Sequence, residues 1–187
     1  MVLRRARDIL WDVAVEQYGY VTTNNVRAVG LEPVAVRQLV HRGQLEPAAH
    51  GVYRFPQFPI TEFDRYMLAV LWTGKATARL SHGTALAQYD VCDINPDRID
   101  LSLPRSARTR RQGGDLYVLH YEEVALSEQA WWQRIPTVTL STAIRQSAVA
   151  DIPNYLIRQA VENGSKKGLL LRSETDALSE AFLWRND

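Results

Sequence analysis

Apolar residues recur at helical spacing near the start of the chain. Ala6, Ile9, Leu10 and Val13 form one stripe across residues 4–18, and Trp11, Val15 and Tyr18 form a second on the opposite side. The first stripe predicts a core-facing helix; the second predicts contact with a following domain or a partner subunit. Over Val21 to Arg54 the pattern shortens. Thr22 or Thr23 can cap a short helix, Gly30 can end it in the left-handed conformation, and Pro33 fits the first turn of the next. At about 100° per residue, Ala35, Val36, Leu39 and Val40 share one apolar arc of roughly 140°, and Val34, Arg37, Gln38, His41 and Arg42 take the opposite arc. Gly43 stops this helix, Leu45 opens an extended run, His50-Gly51 turns it, and Val52-Tyr53-Arg54-Phe55 returns as a second strand. Helix, turn, helix and hairpin in that order predict a winged helix-turn-helix over residues 1–56, with Leu45 and Tyr53 packing the wing against its second helix.

Further along, Phe55-Pro56-Gln57-Phe58-Pro59 is a stiff connection. A helix over residues 61–72 follows, capped by Thr61 and carrying Phe63, Tyr66, Met67, Val70 and Leu71; another runs from Ser81 to Tyr89. The alternation Ile99-Asp100-Leu101-Ser102-Leu103 predicts a strand with Ile99, Leu101 and Leu103 inward, ended by Pro104, and residues 115–121 predict a second. Helices are expected over residues 138–149 and 151–162, the latter capped by Asp151, opened by Pro153 and closed by Asn163-Gly164. A last helix starts at Ser173, with Asp176 at capping-box spacing, and carries Leu178, Ala181, Phe182 and Trp184. The fold class is therefore α+β: an N-terminal winged helix-turn-helix, then a mixed sheet-and-helix domain over residues 57–187.

Composition narrows the function classes. An apolar content of 46% over 187 residues can bury a real core. The net charge of +1 supports no general nucleic-acid coating, but residues 1–111 carry 15 Lys and Arg against 11 Asp and Glu, and residues 112–187 carry 7 against 10. Any electrostatic footprint belongs to the first part. Cys92 is the sole cysteine, so an internal disulfide and a Cys-rich metal site are both excluded. The start interrupts its apolar residues with Asp8, Asp12 and Glu16 and so is no secretory signal, and no run of 18 apolar residues exists; the expectation is a cytoplasmic protein off the membrane.

Candidate chemistry follows from the polar arc. Arg37 and Gln38 can form paired hydrogen bonds to guanine and adenine edges, and Val34 can touch a thymine methyl. Arg54 on the returning strand is a candidate phosphate or minor-groove contact. Arg4, Arg5 and Arg7 oppose the dipole of the first helix, which points to a DNA backbone rather than to helix stability. Arg105, Arg108, Arg110 and Arg111 crowd seven residues with no acid among them. Such a block fits phosphate contacts, an acidic partner protein or a solvated loop. Catalysis finds little support. His41, His50, His82 and His120 lack H-E-x-x-H spacing, no phosphate loop is present, and Ser81-His82 is adjacent in sequence without being a nucleophile–base pair. Asp93, Asp97 and Asp100 flank the first strand, but the second offers only Asp115 and no lysine, and Asp100 faces outward if Leu101 faces in. No enzyme, metal or cofactor is expected.

The stretches GYVTTNNVRAVGLEPVAVRQLVHRGQLEPAAHGVYRFP, ARLSHGTALAQYDV and NPDRIDLSLPRSARTRR, with the later IPTVTLSTAIRQSAV, resemble the abortive-infection (AbiEi-like) antitoxins of toxin–antitoxin pairs over most of residues 5–160. The resemblance implies a winged domain that binds inverted repeats upstream of its own operon and represses it. It also implies a second domain needed for antitoxicity, and a nucleotidyltransferase-like toxin encoded alongside, with direct contact between the two left open. It places DNA reading on Arg37, Gln38, His41 and Arg42, with Thr23, Asn24 and Asn25 ahead of them, and matches the Arg105–Arg111 strip to the family's basic segment. Two or more copies would then associate on a palindromic operator. Two other readings of the residues stand beside it: a one-component regulator whose second domain senses a small ligand, and an interaction module whose winged fold contacts protein.

Overall fold

A computed structural model describes residues 5–111 and 113–182, so Arg4 and Trp184 lie outside the described residues. The chain packs as two compact units, residues 1–76 with 133–135, and residues 77–132 with 136–187.

The first unit runs α1 (Ala6–Val15), β1 (Tyr20–Thr22), α2 (Thr23–Ala28), α3 (Pro33–His41), β2 (Glu46–Ala49), β3 (Val52–Arg54) and α4 (Asp64–Trp72). Its sheet has the order β1-β3-β2, antiparallel throughout, with both Tyr20 and Glu46 opposite Arg54. This is the predicted winged helix-turn-helix with one strand added. The sequence pattern does not reveal β1 because Tyr20, Val21 and Thr22 are all buried, which leaves no alternation to detect. That burial also explains why α1 is shorter than residues 4–18: Tyr18 (φ 53°) and Gly19 (φ 85°) turn the chain into β1.

Both helices of the helix-turn-helix end alike. After α2, Gly30 (φ 75°) donates to the Arg27 carbonyl and Leu31 to the Val26 carbonyl, each at 3.0 Å. After α3, Gly43 (φ 66°) donates to Val40 and Gln44 to Leu39, each at 2.9 Å. These are paired Schellman closures, which satisfy the last helical carbonyls and need a left-handed residue at one position. At its start α2 is capped reciprocally: Asn25 N donates to Thr22 Oγ1 (3.1 Å) and Thr22 N to Asn25 Oδ1 (2.8 Å). The core beneath holds Leu10, Ala14, Val21, Val26, Val36, Leu39, Leu45 and Phe55, with Val13, Val40 and Tyr53 packed on it. Leu45 and Tyr53 thus tie the wing to α3 as expected, and α1 contributes Leu10 and Ala14 more deeply than Ala6 or Ile9. Trp11 belongs to this unit as well. Its ring meets Phe55 at 5.1 Å and Phe58 at 5.3 Å, so the aromatic side of α1 is covered by the chain that follows the wing. Val15, from the same stripe, stays exposed.

The second unit contains β4 (Arg79–Leu80), α5 (His82–Tyr89), β5 (Ile99–Leu103), β6 (Tyr117–Tyr121), β7 (Gln129–Trp132), all of β8 (Ile135–Val138) but its first residue, α6 (Leu140–Val149), α7 (Asn154–Lys166) and α8 (Arg172–Phe182). Its sheet has the order β6-β5-β4-β8-β7, with β5–β6 and β4–β8 parallel and β4–β5 antiparallel. Helices α5 to α8 share a core of Leu86, Val138, Leu140, Ile144, Ile157, Val161, Leu170 and Leu178. Strands β5 and β6 sit where expected, but β4, β7 and β8 were not anticipated, and β8 takes Val138 from the predicted helix, which instead starts after Thr139 as cap. Asn163-Gly164 does not end α7. Gly164 lies inside it, where a Cβ would come within 2.7 Å of Leu140 Cδ2, and Asn163 Nδ2 donates to the Val91 carbonyl (3.0 Å). Asp151 (φ 56°) is exposed and does not cap α7, and α8 begins on a Glu174 carboxylate that accepts from Leu171 N (2.8 Å) rather than at Ser173.

Candidate nucleic-acid interface

Helix α3 sorts its side chains as the arc predicted. Val36 and Leu39 are 2% and 5% exposed, and Ala35 and Val40 are half-buried. Val34, Arg37, Gln38, His41 and Arg42 are all exposed, with Val34 at 48%. An apolar side chain left that open beside two arginines, a glutamine and a histidine makes a flank with hydrogen-bonding reach and one methyl-contacting surface. Pro33 at the first helical position and the Gly43 closure set the length of this flank at about two and a half turns.

The other residues singled out in the sequence have more varied places. Asn24 is exposed and its Nδ2 donates to the Gly74 carbonyl (3.3 Å). Thr23 is half-buried at the start of α2, its N–H donating to the Gly51 carbonyl of the wing turn (3.0 Å). Asn25 is half-buried and its side chain is engaged in the α2 cap. Arg54 is turned into the fold: its guanidinium pairs with Asp64 at 2.9 Å, donates to the Phe58 and Pro59 carbonyls, and lies 5.6 Å from the Tyr20 ring centroid. Its side chain keeps only 13% exposure. Burial, then the Asp64 charge, push the Tyr20 phenol above its ordinary range. Sequence reasoning missed this role of Arg54 because Asp64 lies ten residues away on α4. Arg5 is exposed just ahead of α1, whereas Arg7 is half-buried over the rings of Trp11 (5.3 Å) and Phe55 (5.8 Å). Arg27, exposed in the last turn of α2, was not singled out; a cation there also suits the helix dipole.

In the second unit, Arg105 opens a single 3-10 turn after β5, and Arg105, Arg108 and Arg110 are exposed. The Arg108 guanidinium lies 4.9 Å from the Tyr121 ring centroid, and Arg111 is half-buried. On the helix-facing side of the sheet sits a buried polar network. The His82 and His120 rings stack with centroids 3.5 Å apart, His82 Nδ1 is 3.0 Å from Ser81 Oγ, and His120 Nε2 is 2.9 Å from Asp100 Oδ1. Thr84 donates to the other Asp100 oxygen, and Ser102 and Gln146 donate to Glu122. Asp100 does point away from Leu101, but that face is covered by α5, so it is half-buried instead of solvated. Burial, and then the neighbouring His120, hold the His82 imidazole down to about 4 despite Asp100. Among the described residues no group of three or more His, Cys, Asp or Glu is placed to hold a metal ion. No helix among them is long and apolar enough to cross a membrane.

Comparison with known proteins bears on the first unit. Residues 8–56 match the family model described as "Transcriptional regulator, AbiEi antitoxin". The match ends at the wing, short of the later segments that carried the sequence resemblance. No protein of curated function matches the chain. Among solved structures, the crystal structure of the RV2827C protein from Mycobacterium tuberculosis is similar over 95% of this chain and 81% of that one, at 16% identity and a TM-score of 0.43. The matched span holds the whole helix-turn-helix and the wing, α3's open flank included, and over this N-terminal region the chain is similar to the AbiEi antitoxin family of transcriptional regulators.

Proposed function

We propose that the chain is an autoregulating antitoxin. Residues 1–56 bind inverted-repeat operator DNA and repress the chain's own operon; residues 57–187 serve neutralisation of a nucleotidyltransferase-like toxin. Two copies dock α3 into successive major grooves of a palindromic site, and the complex works in the cytoplasm. Arg37 and Gln38 read base edges, His41 and Arg42 extend the contact along the groove, and Val34 meets a thymine methyl. Asn24 and Thr23 approach the backbone from the start of α2. Arg54 is left out of this assignment because its guanidinium is committed to Asp64.

The observation that carries the reading is the division of α3 into a buried flank through Val36 and Leu39 and an open one through Arg37 and Gln38. The test is a mobility-shift titration of an Arg37→Ala/Gln38→Ala variant against the DNA upstream of the coding sequence and against a scrambled duplex. Loss of two base contacts, each worth about 1–3 kcal/mol of discrimination, lowers specific affinity by at least about tenfold and leaves scrambled binding much less affected. A folded variant with unchanged specific affinity would overturn the assignment.

A further inference from the structure

We infer that the outer edge of β7 is a self-association surface, where the strand pairs antiparallel with β7 of a second copy across a two-fold axis at Trp131. The inference rests on the reading above that two copies share one palindromic site, and it assigns the contact between them to the second unit.

Strand β7 ends the sheet order β6-β5-β4-β8-β7, so among the described residues no strand lies on its outer side. Its pairing with β8 is antiparallel, because only Gln133 and Arg134 connect the two. Thr139 N donates to the Glu128 carbonyl (2.8 Å), which turns the Glu128 backbone towards β8. By alternation, the N–H and C=O of Gln129 and Trp131 point outward, ready to bond another strand. Trp131 is 68% exposed, and Leu126, in the turn leading into the strand, is exposed as well. Edges of this kind are normally guarded by charge, proline or a bulge. In the first unit, edge strand β2 has Pro47 and a register shift between Pro47 and Ala49. On β6, the opposite edge of the second sheet, Arg108 rests on Tyr121 with Arg105 and Arg110 exposed beside it in sequence, so two copies meeting there bring like charges together. Gln129-Ala130-Trp131-Trp132 carries no charge and no proline.

The ends of β7 select the occupant. Glu128 precedes the strand and Arg134 follows it, each three residues from Trp131. A second β7 running antiparallel about Trp131 brings the Glu128 end of each copy to the Arg134 end of the other, whereas a parallel approach sets like against like. Both side chains stay partly exposed beyond the ion pairs they already make, Glu128 with Arg145 and Arg134 with Glu16. At the centre the two Trp131 rings become a cross-strand pair on one face. Burying two tryptophan side chains removes about 300–500 Å² from water, well under the about 1,200–2,000 Å² of a stable interface. The edge therefore joins copies weakly in solution, and firmly where adjacent half-sites hold them at about millimolar effective concentration.

The experiment uses the full chain with Cys92→Ala, which removes the native thiol. Trp131→Cys, or Gln129→Cys as control, is added, and each protein is oxidised with diamide on and off the upstream duplex. Directly opposed residues of antiparallel strands have Cα atoms about 5.5 Å apart, within disulfide reach. The Trp131→Cys chain links to its own copy on the duplex; the Gln129→Cys chain does not, because position 129 then lies opposite position 133. In a mobility-shift titration of Trp131→Lys, checked for folding by thermal melt, the first copy binds as before and the second at least about tenfold more weakly. Equal linking at both positions, or none on a duplex that still takes up two copies, overturns the edge contact and leaves the α3 assignment standing. A self-linked dimer of a chain that binds no upstream DNA keeps the edge contact and removes the operator reading alone. Undiminished binding of the second Trp131→Lys copy, with protection against the toxin lost in cells, would give β7 to a different protein partner.

Discussion

Arg37 and Arg54 are both arginines on short elements of one small unit, and the fold gives them opposite surroundings. Arg37 stands on the open flank of α3. Arg54 sits at 13% exposure against a carboxylate that is itself nearly covered. Removing one partner of such a pair strands the other charge, a loss of about 3 kcal/mol or more. Arg54→Ala should therefore lower the urea midpoint of the first unit markedly, with specific DNA affinity per folded molecule held close to normal. A variant that keeps its stability but loses DNA binding would instead place Arg54 in the proposed DNA-binding surface. The exposed polar character of Arg37, Gln38, His41 and Arg42 was legible from their angular spacing alone. The inward turn of Arg54 was not, because nothing within its own strand distinguishes it from a surface cation.

Among the elements, α2 and α3 show how much local chemistry decides. Thr22, Gly30, Pro33 and Gly43 punctuate them as the sequence predicted, and the Schellman closures explain why glycine stands at both ends. A Cβ at Gly43 meets nothing within 4 Å, so Gly43→Ala carries only the conformational cost of a left-handed backbone, about 1–2 kcal/mol. A thermal melt should register that loss. Thr22→Ala removes a cap acceptor and should cost about 1 kcal/mol more visibly in α2 exchange protection than elsewhere. The strands β4, β7 and β8 escaped the pattern for a related reason. Strand β4 has two residues, and β7 joins β8 through Gln133 (φ 45°) and Arg134 (φ 62°), a left-handed pair without the glycine or asparagine that marks such turns. Asn163-Gly164 misled in the opposite direction, since its glycine answers to the closeness of Leu140 rather than to a turn.

On the scale of the whole molecule, the polar network of the second unit sets its behaviour in acid. His82 is neutral in the fold, with an acidity near 4 against 6.5 when unfolded. Between those values the unfolded chain binds the extra proton, so stability falls as the pH drops from about 6.5 to about 4 and levels off below. The full shift corresponds to about 3 kcal/mol. Urea midpoints measured from pH 7 to pH 4 should show this slope, and His82→Asn, which suits the left-handed backbone at that position (φ 49°), should flatten it. An equal slope in both proteins would assign the acid sensitivity elsewhere. Neither His82 nor His120 could be placed from sequence, where they stand 38 residues apart and only the register of β5 with β6 and the start of α5 bring their rings together.

What the residues determined unaided is the helix, turn, helix and wing over positions 21–55, along with the face of α3 that stays open. Those features follow from side-chain period and from glycine, proline and threonine acting on their immediate neighbours, which are forces that operate within a few residues. The tertiary structure alone decided that Arg54 belongs to Asp64, that β1 completes the wing's sheet, and that Asp100, Glu122 and two histidines share one buried cluster. Each of those outcomes depends on burial and on partners distant in the chain, and a charge or an imidazole has no fixed role until the fold has chosen its solvent and its neighbours.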